Sequence, residues 1–500
     1  MVYTLKSNKI SVTSDDWLNI NDKSDQFNEI CFRVIEELLK LKKFNEAEEL
    51  ADFCELSKDR IHLARIGDQI EIIRLNNDFD EILQFWKNSH IQLMQIGIKD
   101  VDFIDFLKFQ NSRSNLMLEK IVLLNLICQL CPNNQETSKM LWNILFQFVL
   151  DSKKKNETAN LKEIFKKMLL FGNLNQYPIR ELFEFITREG VTIDFTEFNN
   201  ASITEQEKDA FDVLLFNLVD IGKLTQAYVI AKHFRYFNQD LRILLNMIYI
   251  SLDMIKPEDI NYENSTFDLN SFKKIKLTNV LRSLSRQTPD QSENIRDRIQ
   301  CMEKLTGLCS FGDRYCQRIK LDFRLANEFL KASFNEILHE NEWNLLKRIL
   351  YSFNSNKFDL ARHFVKVYDL DETILCNFML EHVETTLNAH VESIQTNSPP
   401  KFQLMFDPSN SDDFSNLIKI FKVNSNLFGT KMLEKCRKLL ANDTKTTDHY
   451  TILTELLVRS YMCFTQSCSM EGISNVLETS KSCAAKLEKA REFNLMVKIF

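Results

Sequence analysis

Residues 25–54 read DQFNEICFRVIEELLKLKKFNEAEELADFC and contain two amphipathic patterns separated by a very short turn. Apolar residues recur at every third or fourth position of the first pattern, which predicts a helix from about Asp25 to Lys42. The second pattern starts at Phe44, so the chain must reverse direction within residues 41–43. This stretch therefore predicts a helical hairpin.

The same arrangement recurs twice further along the chain. Turns near Gly222 and Asn356 also separate two apolar stripes of helical spacing. The three turns share an alanine placed three residues after a large apolar residue, at Ala47, Ala227 and Ala361. A small residue one turn into a helix lets the partner helix approach closely. The recurring hairpins predict an all-α fold, an α-solenoid. Because the turns are not evenly spaced, we expect degenerate helical hairpin repeats rather than a consensus tetratricopeptide array.

The composition also favours helices. The 500 residues include only 9 Gly and 7 Pro, where average usage would supply roughly 60 of the two together. β-Sandwiches, barrels and Gly-rich nucleotide-binding folds need such residues at their turns, so the shortage argues against these classes. A hydrophobic fraction of 44% with 39 Phe supplies a large core. A chain of this length is expected to form two or more domains or one elongated repeat array.

Capping signals and polar runs suggest how the chain is divided. Thr204 and Glu207 form a capping box, which places a module boundary near residue 201. We expect a polar leader at 1–25, a helical-repeat segment at 26–200 and a C-terminal helical domain at 201–500. Residues 494–500 read NLMVKIF without a helix stop signal, so the sequence is expected to be incomplete at this end. Three further residues are predicted to be helix N-caps: Ser57, Asn238 and Asp371.

Charge and hydropathy limit the kind of partner. The 63 Lys and Arg and 70 Asp and Glu give a net charge of −7, with both signs interspersed, so nucleic acid is not an expected partner. The longest uncharged apolar stretches, 121–131 and 140–150, are too short for the roughly 20 residues that cross a bilayer. Residues 1–25 contain no secretory signal. We therefore expect a cytoplasmic protein with reduced cysteines and no transmembrane segment.

Candidate catalytic and metal-binding residues form no recognised motif. Cys128 and Cys131 form a CxxC without a second pair at zinc-ribbon spacing, which favours buried helix cysteines over zinc. His382 and His390 are expected on the solvated face of a Glu-rich helix, and the lysine run 153–155 is expected in a solvated loop. Phosphate-binding GxxxxGK[ST] and GxGxxG motifs and the nucleophile motif GxSxG are absent from the sequence. The sequence predicts no metal site, no cofactor and no catalytic residues.

Residues 455–473 read ELLVRSYMCFTQSCSMEGI and resemble the C-terminal region of the spatacsin family, with its leucine-rich helix, Cys-Phe-Thr element and Met-Glu-Gly-Ile turn. Several blocks in the same order support the resemblance from about residue 300 onward: CQRI at 316–319, FRLA at 323–326, FDLARHFV at 358–365 and NLFGTKML at 426–433. The positions that match the family's motif are Cys463, Phe464, Met470, Glu471, Gly472 and Ile473.

We interpret these motif positions as structural. Gly472 lacks a Cβ at a point where two helices approach, and Phe464 and Ile473 are expected to be buried beside it. A direct partner contact is the less favoured interpretation, because partners of solenoids usually bind along concave helix faces.

The resemblance implies a non-enzymatic scaffold that works with spastizin and the fifth adaptor protein complex on late endosomes and lysosomes. It further implies a role in vesicle trafficking, autophagic lysosome reformation and axon maintenance, with peripheral rather than transmembrane membrane association. Two other functions remain open on the residues alone. One is a helical-repeat regulatory subunit of another large cytoplasmic complex, and the other is an all-α enzyme with a dispersed site.

Overall fold

The computed structural model shows a chain of α-helices joined mostly by short turns. It describes residues 25–132, 134–155, 160–169, 177–189, 204–253, 256–257, 292–400, 403–421, 425–441 and 447–490. These residues contain 22 α-helices and no β-strand, which confirms the prediction of an all-α fold. The predicted boundary near residue 201, the leader up to residue 24 and the expected broken end at 494–500 lie outside the described residues.

The chain divides into two units, of which the first comprises Met1–Phe185 and Phe195–Leu241. Its helices are α1 (Asp25–Lys40), α2 (Phe44–Phe53), α3 (Asp59–Asn76), α4 (Phe79–Ile96), α5 (Asp100–Arg113), α6 (Met117–Leu130), α7 (Gln135–Lys154), α8 (Leu161–Leu169), α10 (Glu205–Asp220) and α11 (Leu224–Phe234). Two helices cross a boundary of the units, α9 (Pro178–Glu189) and α12 (Gln239–Ser251).

The second unit comprises Ile186–Asp194 and Arg242–Phe500. Its helices are α13 (Ser292–Leu308), α14 (Asp313–Arg324), α15 (Phe334–His339), α16 (Glu342–Leu350), α17 (Lys357–Tyr368), α18 (Glu372–Thr396), α19 (Ser411–Ile418), α20 (Ser425–Ala441), α21 (Thr447–Gln466) and α22 (Met470–Ala490). A π-helical turn, Leu325–Phe329, continues directly from α14.

Helices that are close in the sequence pack together within each unit. In the first unit, α1 packs on α2, α3 packs on α4 and α5, and α6 packs on α5, α7 and α8. In the second unit, α13 packs on α14, α16 packs on α17, and α20 packs on α18, α21 and α22. Contacts between elements one or two places apart are typical of stacked helical hairpins. The predicted pairing of consecutive helices is therefore confirmed.

The three predicted hairpins form where the sequence places them. α1 ends at Lys40 and α2 begins at Phe44, and the backbone reverses through Lys42 in the left-handed region, with φ of 56°. Gly222 plays the same part between α10 and α11, with φ of 82°. The alanines of the three turns, Ala47, Ala227 and Ala361, are all fully buried. Each hairpin thus closes over a small side chain, as expected for tightly packed helices.

The predicted caps are largely correct. Thr204 and Glu207 form the expected capping box at the start of α10. Asn238 Oδ1 accepts from the Leu241 amide at 3.0 Å, and Asp371 Oδ1 caps α18. Ser57 Oγ accepts from the Asp59 amide at 3.2 Å, so its side chain does bond to the first turn of α3, although the helix bounds place Lys58 rather than Ser57 at the N-cap position.

The lysine run at 153–155 is not in a loop, as the sequence had suggested. Lys153 and Lys154 belong to the last turn of α7. Cationic side chains are favoured there by the carbonyl end of a helix. Lys153 Nζ also forms an ion pair with Asp209 of α10 at 2.8 Å. The run therefore extends a helix rather than interrupting one.

The expectation of a solvated His382 is wrong. His382 is buried, and its Nδ1 lies 3.1 Å from the Tyr351 hydroxyl. It falls on the same stripe of α18 as Met379 and Thr386, which are fully buried. Burial lowers the pKa of His382. The Glu residues of α18 lie on its other faces, so the Glu-rich composition of the helix did not indicate that His382 is buried. His390, further along α18, is half-buried.

A buried carboxylate joins four helices of the first unit. Glu119 of α6 is fully buried and accepts a bidentate hydrogen bond from Arg74 of α3, at 2.9 and 3.0 Å. The indole of Trp86 on α4 donates to the same carboxylate at 2.9 Å. The hydroxyl of Ser114, just after α5, donates at 2.6 Å. Because every donor comes from a different element, this network fixes how α3 to α6 stack.

Candidate functional site

The family-motif positions lie on α21, on α22 and beside the turn that joins them. Cys463 and Phe464 belong to the last two turns of α21, and the chain then passes through Cys468 in the left-handed region, with φ of 53°. The sequence predicted a turn at the Met-Glu-Gly-Ile segment, and this prediction is wrong. The segment forms the first helical turn of α22. It becomes helical because Ser469 Oγ accepts from the Gly472 amide at 3.2 Å, as an N-cap does.

Gly472 lies directly against the ring of Phe464. A Cβ added at Gly472 would lie 2.5 Å from Phe464 Cε1 and closer still to Cγ and Cδ1. Phe464 is buried. Any side chain at position 472 would overlap the ring, so the expected close approach of α21 and α22 is present.

A second glycine approaches the same ring from α20. A Cβ at Gly429 would lie 3.2 Å from Phe464 Cε1 and 3.0 Å from the Cβ of Cys463. Ser460 Oγ donates to the Gly429 carbonyl at 2.8 Å, which ties α20 to α21 at this point. Phe464 thus lies between two glycines on two different helices. Gly429 belongs to the family block at 426–433, but nothing in the sequence indicates this contact.

The remaining motif positions divide into buried and exposed residues. Cys463 is fully buried, and burial raises the pKa of its thiol well above the usual range, so the thiol is packed rather than reactive. Ile473 is only half-buried, less than expected. Glu471 is exposed, and Met470 is 76% exposed. Two of the six motif positions, Met470 and Glu471, are therefore exposed to solvent.

An apolar strip runs along the exposed side of α22. Met470 and Leu477, which is 53% exposed, are seven residues apart and share one face of the helix. Ile473 lies between them. We call Met470, Ile473 and Leu477 the α22 strip. A groove of about 340 Å³ lies on α19 and α21 in the same unit, lined by Ser415, Ile418, Tyr461, Met462, Thr465 and Gln466.

A buried arginine holds the irregular segment before α19 against α21. Arg459 is only 4% exposed, and its Nη2 donates to the Pro408 carbonyl at 3.0 Å. Its guanidinium lies 5.4 Å from the ring centroids of both Phe406 and Phe414. Within α21 it also pairs with Glu455. An arginine inside the apolar run ELLVRSY was the only sequence signal for this contact.

A second buried polar cluster connects α14 with α17. The Tyr368 hydroxyl donates to Asp322 Oδ1, and Asp322 is fully buried. Burial raises the pKa of Asp322 to about 7, although the neighbouring Arg318 opposes this effect. The Arg318 guanidinium lies 4.1 Å from the centroid of the Tyr368 ring. Because the carboxyl group is fully buried, it is better placed to join two helices than to act on a substrate.

In the described ranges, no group of three or more His, Cys, Asp or Glu side chains is placed to hold a metal ion. Cys128 and Cys131 are half-buried rather than buried, and Cys131 lies at the end of α6. No described helix is both long enough and apolar enough to span a bilayer.

Comparison with known proteins identifies the relatives of this chain. Residues 427–500, which include the helices around Phe464, match the family model of the spatacsin C-terminus. Spatacsin of Mus musculus is 24% identical over 311 residues, which cover 59% of this chain but only 12% of the mouse protein. No solved structure matches the chain. The chain is therefore a distant homologue of spatacsin over 59% of its length and carries the spatacsin C-terminal family region at residues 427–500.

Proposed function

We propose that this protein is a non-enzymatic scaffold of the spatacsin type, which acts through protein–protein interactions in endosome and lysosome trafficking and in autophagic lysosome reformation. The observation that carries the proposal is its relation to spatacsin over 59% of the chain. The proposed partners are spastizin and the fifth adaptor protein complex. The proposed location is the cytoplasmic surface of late endosomes and lysosomes, including those of axons.

The geometry of the C-terminal helices suggests how such a scaffold would present a surface. Phe464, Gly429 and Gly472 hold α20, α21 and α22 in close contact. On this rigid base, the exposed Met470 and Leu477 place apolar side chains in solvent. Exposed apolar side chains on a fixed support are typical of protein-binding surfaces. We infer that the buried motif positions are structural and that the α22 strip contacts a partner.

The domain organisation is proposed on the same basis. Residues 26–200 form a helical-repeat segment, and residues 201–500 form the spatacsin-like domain that binds partners. The spatacsin C-terminal family region at 427–500 lies within the second of these segments.

Co-purification tests the proposal. The tagged chain should retain spastizin and the fifth adaptor protein complex from cell extract, and an unbiased survey of bound proteins would reveal a different complex if the chain belongs to one. The variant Met470→Glu with Leu477→Glu should lose most of the bound spastizin. The matched control, Phe353→Glu with Ile374→Glu, also changes two exposed apolar residues, 93% and 53% exposed, and should retain it.

Two outcomes would contradict different parts of the proposal. No spastizin on the unchanged chain would contradict the proposed partner. Equal retention by both double variants would show that the α22 strip is not the contact. Circular dichroism of each variant establishes that the helices are intact.

A further inference from the structure

A basic groove of about 500 Å³ lies beside α17. Its lining residues are Asp359, Arg362, His363, Lys366, Lys419 and Phe421. Arg362 and Lys366 are one helical turn apart and exposed, whereas Lys419 comes from the chain just after α19. Phe421 is 6% exposed and lies largely below the surface. We call this feature the α17 groove.

The positive charges of the α17 groove are only partly compensated. The Asp359 carboxylate accepts from Arg362 Nη2 at 2.8 Å, so these two charges offset one another. Lys419 Nζ donates to the neutral Asn416 amide at 3.0 Å. Lys366 has no ion-pair partner in the part of the chain that the structure describes. Two uncompensated ammonium groups therefore share one groove, in a chain whose net charge is −7.

The pKa of His363 is lowered by burial and by the positive charges around the α17 groove. Burial is the largest cause of the lowered pKa, and the positive charges of Lys320, Arg324 and Lys366 lower the pKa further. Lys320 and Arg324 belong to α14, so cations from a third element act on the groove. Arg324 is itself paired with Glu328 at 2.8 Å. A bound anion would relieve the mutual repulsion of these cations.

We propose that the α17 groove binds a compact polyphosphate, such as a phosphorylated inositol, either free in solution or as a lipid headgroup. The volume of the groove is within the roughly 300–1,000 Å³ of ordinary small-molecule sites. Lysine ammonium groups and an arginine fork are the side chains that bind phosphate oxygens best. An acidic peptide fits less well, because its carboxylates are spread along an extended chain while these cations converge on one cavity. The Asp359 charge is offset by its ion pair with Arg362, so the net positive charge of the groove comes from Lys366 and Lys419.

Calorimetric titration of the full chain with inositol hexakisphosphate tests the proposal. We expect one site per chain, with binding that weakens as salt is added. Lys366→Glu with Lys419→Glu should weaken binding by about 10-fold or more, because two charge-assisted contacts are reversed. Lys438→Glu with Lys481→Glu is the matched control, since it changes two exposed lysines of α20 and α22 by the same total charge. The control should change affinity by less than about 2-fold.

A second measurement distinguishes the two sources of phosphate. Phosphatidylcholine vesicles with and without phosphatidylinositol phosphates are sedimented with the chain, and the same two double variants are compared. Groove-dependent binding to either probe supports the proposal, and the stronger probe identifies the source. In the unchanged chain, the His363 resonances should show a raised pKa when the polyphosphate is bound.

Three results would overturn the proposal. The first is no binding of inositol hexakisphosphate and none of phosphoinositide vesicles. The second is an equal loss of affinity in the groove variant and in the control, which would indicate a general charge effect. The third is equally tight binding of a hexaglutamate peptide at the same groove, which would indicate a peptide site. These results do not depend on whether spastizin binds.

Discussion

The ring of Phe464 occupies the space where Gly472 would carry a Cβ. The contact joins the last turns of α21 to the first turn of α22, and the ring is also in contact with α20 through Gly429. A single aromatic side chain thus sets the separation of three helices, and neither glycine can be replaced without moving it.

Replacing Gly472 should strongly destabilise the second unit. We expect Gly472→Ala to lower the free energy of unfolding by about 2 kcal/mol and Gly472→Leu by about 3 kcal/mol or more, because each added atom overlaps a buried ring. Gly307→Ala on α13 is the control, since a Cβ there would meet nothing within 4 Å. Urea denaturation followed by circular dichroism measures both. Equal midpoints for Gly472→Ala and Gly307→Ala would contradict the close contact.

The buried carboxylate of the first unit offers a second test. Glu119→Ala should cost about 3–5 kcal/mol, because it leaves the Arg74 guanidinium and the Trp86 indole without their partner. Glu163→Ala removes only an exposed pair with Lys166 and should cost less than about 0.5 kcal/mol. Tryptophan fluorescence during denaturation reports the unfolding of this region. A cost for Glu119→Ala as small as that of the control would show that the network does not hold α3 to α6 together.

Asp322 should make the stability of the second unit depend on pH. Its pKa is about 7 when folded and 3.8 in an unperturbed chain. The folded state therefore holds the proton more tightly, and stability should fall as pH rises from about 4 to about 7, by up to about 1.4 kcal/mol per pH unit. Asp322→Asn should remove this fall, whereas Asp359→Asn, at an exposed site, should not. Parallel stability curves for Asp322→Asn and the unchanged chain would contradict the raised pKa.

Arg459 should control the order of the segment before α19. Arg459→Met keeps a long side chain but loses the hydrogen bond to Pro408, so we expect faster hydrogen exchange and proteolysis in residues 403–410 and a cost of about 1–3 kcal/mol. Arg437→Met, on an exposed position of α20, is the control. Unchanged exchange in this segment would show that Phe406 and Phe414 hold it without the guanidinium.

The local features of this fold could be predicted from the sequence. The turn after Lys40 and the capping box at Thr204 each depend on residues within a few positions of one another, so spacing alone identifies them. The buried alanine of each hairpin is a similar case. Fold class and helix pairing follow from such local patterns.

Contacts between distant residues could not be predicted in the same way. Arg459 lies 51 residues from Pro408, and Glu119 lies 45 residues from Arg74, so both contacts depend on how the helices stack. The burial of His382 was predicted wrongly for a related reason, because the composition of a helix does not specify on which face each residue lies. The exposure of Met470 and Glu471 could likewise not be predicted, because it depends on which face of α22 packs against α20 and α21.

The contact pattern of the helices has a consequence for how this protein can change its sequence. In the second unit, the main contacts of α14 are with α13, α15 and α17, whereas those of α22 are with α20 and α21. Among the helices that the structure describes, none packs closely on both, so a substitution in one region need not be matched in the other. Each group of neighbouring helices can accumulate its own compensating changes. A chain built in this way can diverge to 24% identity from a relative while every local pair remains complementary.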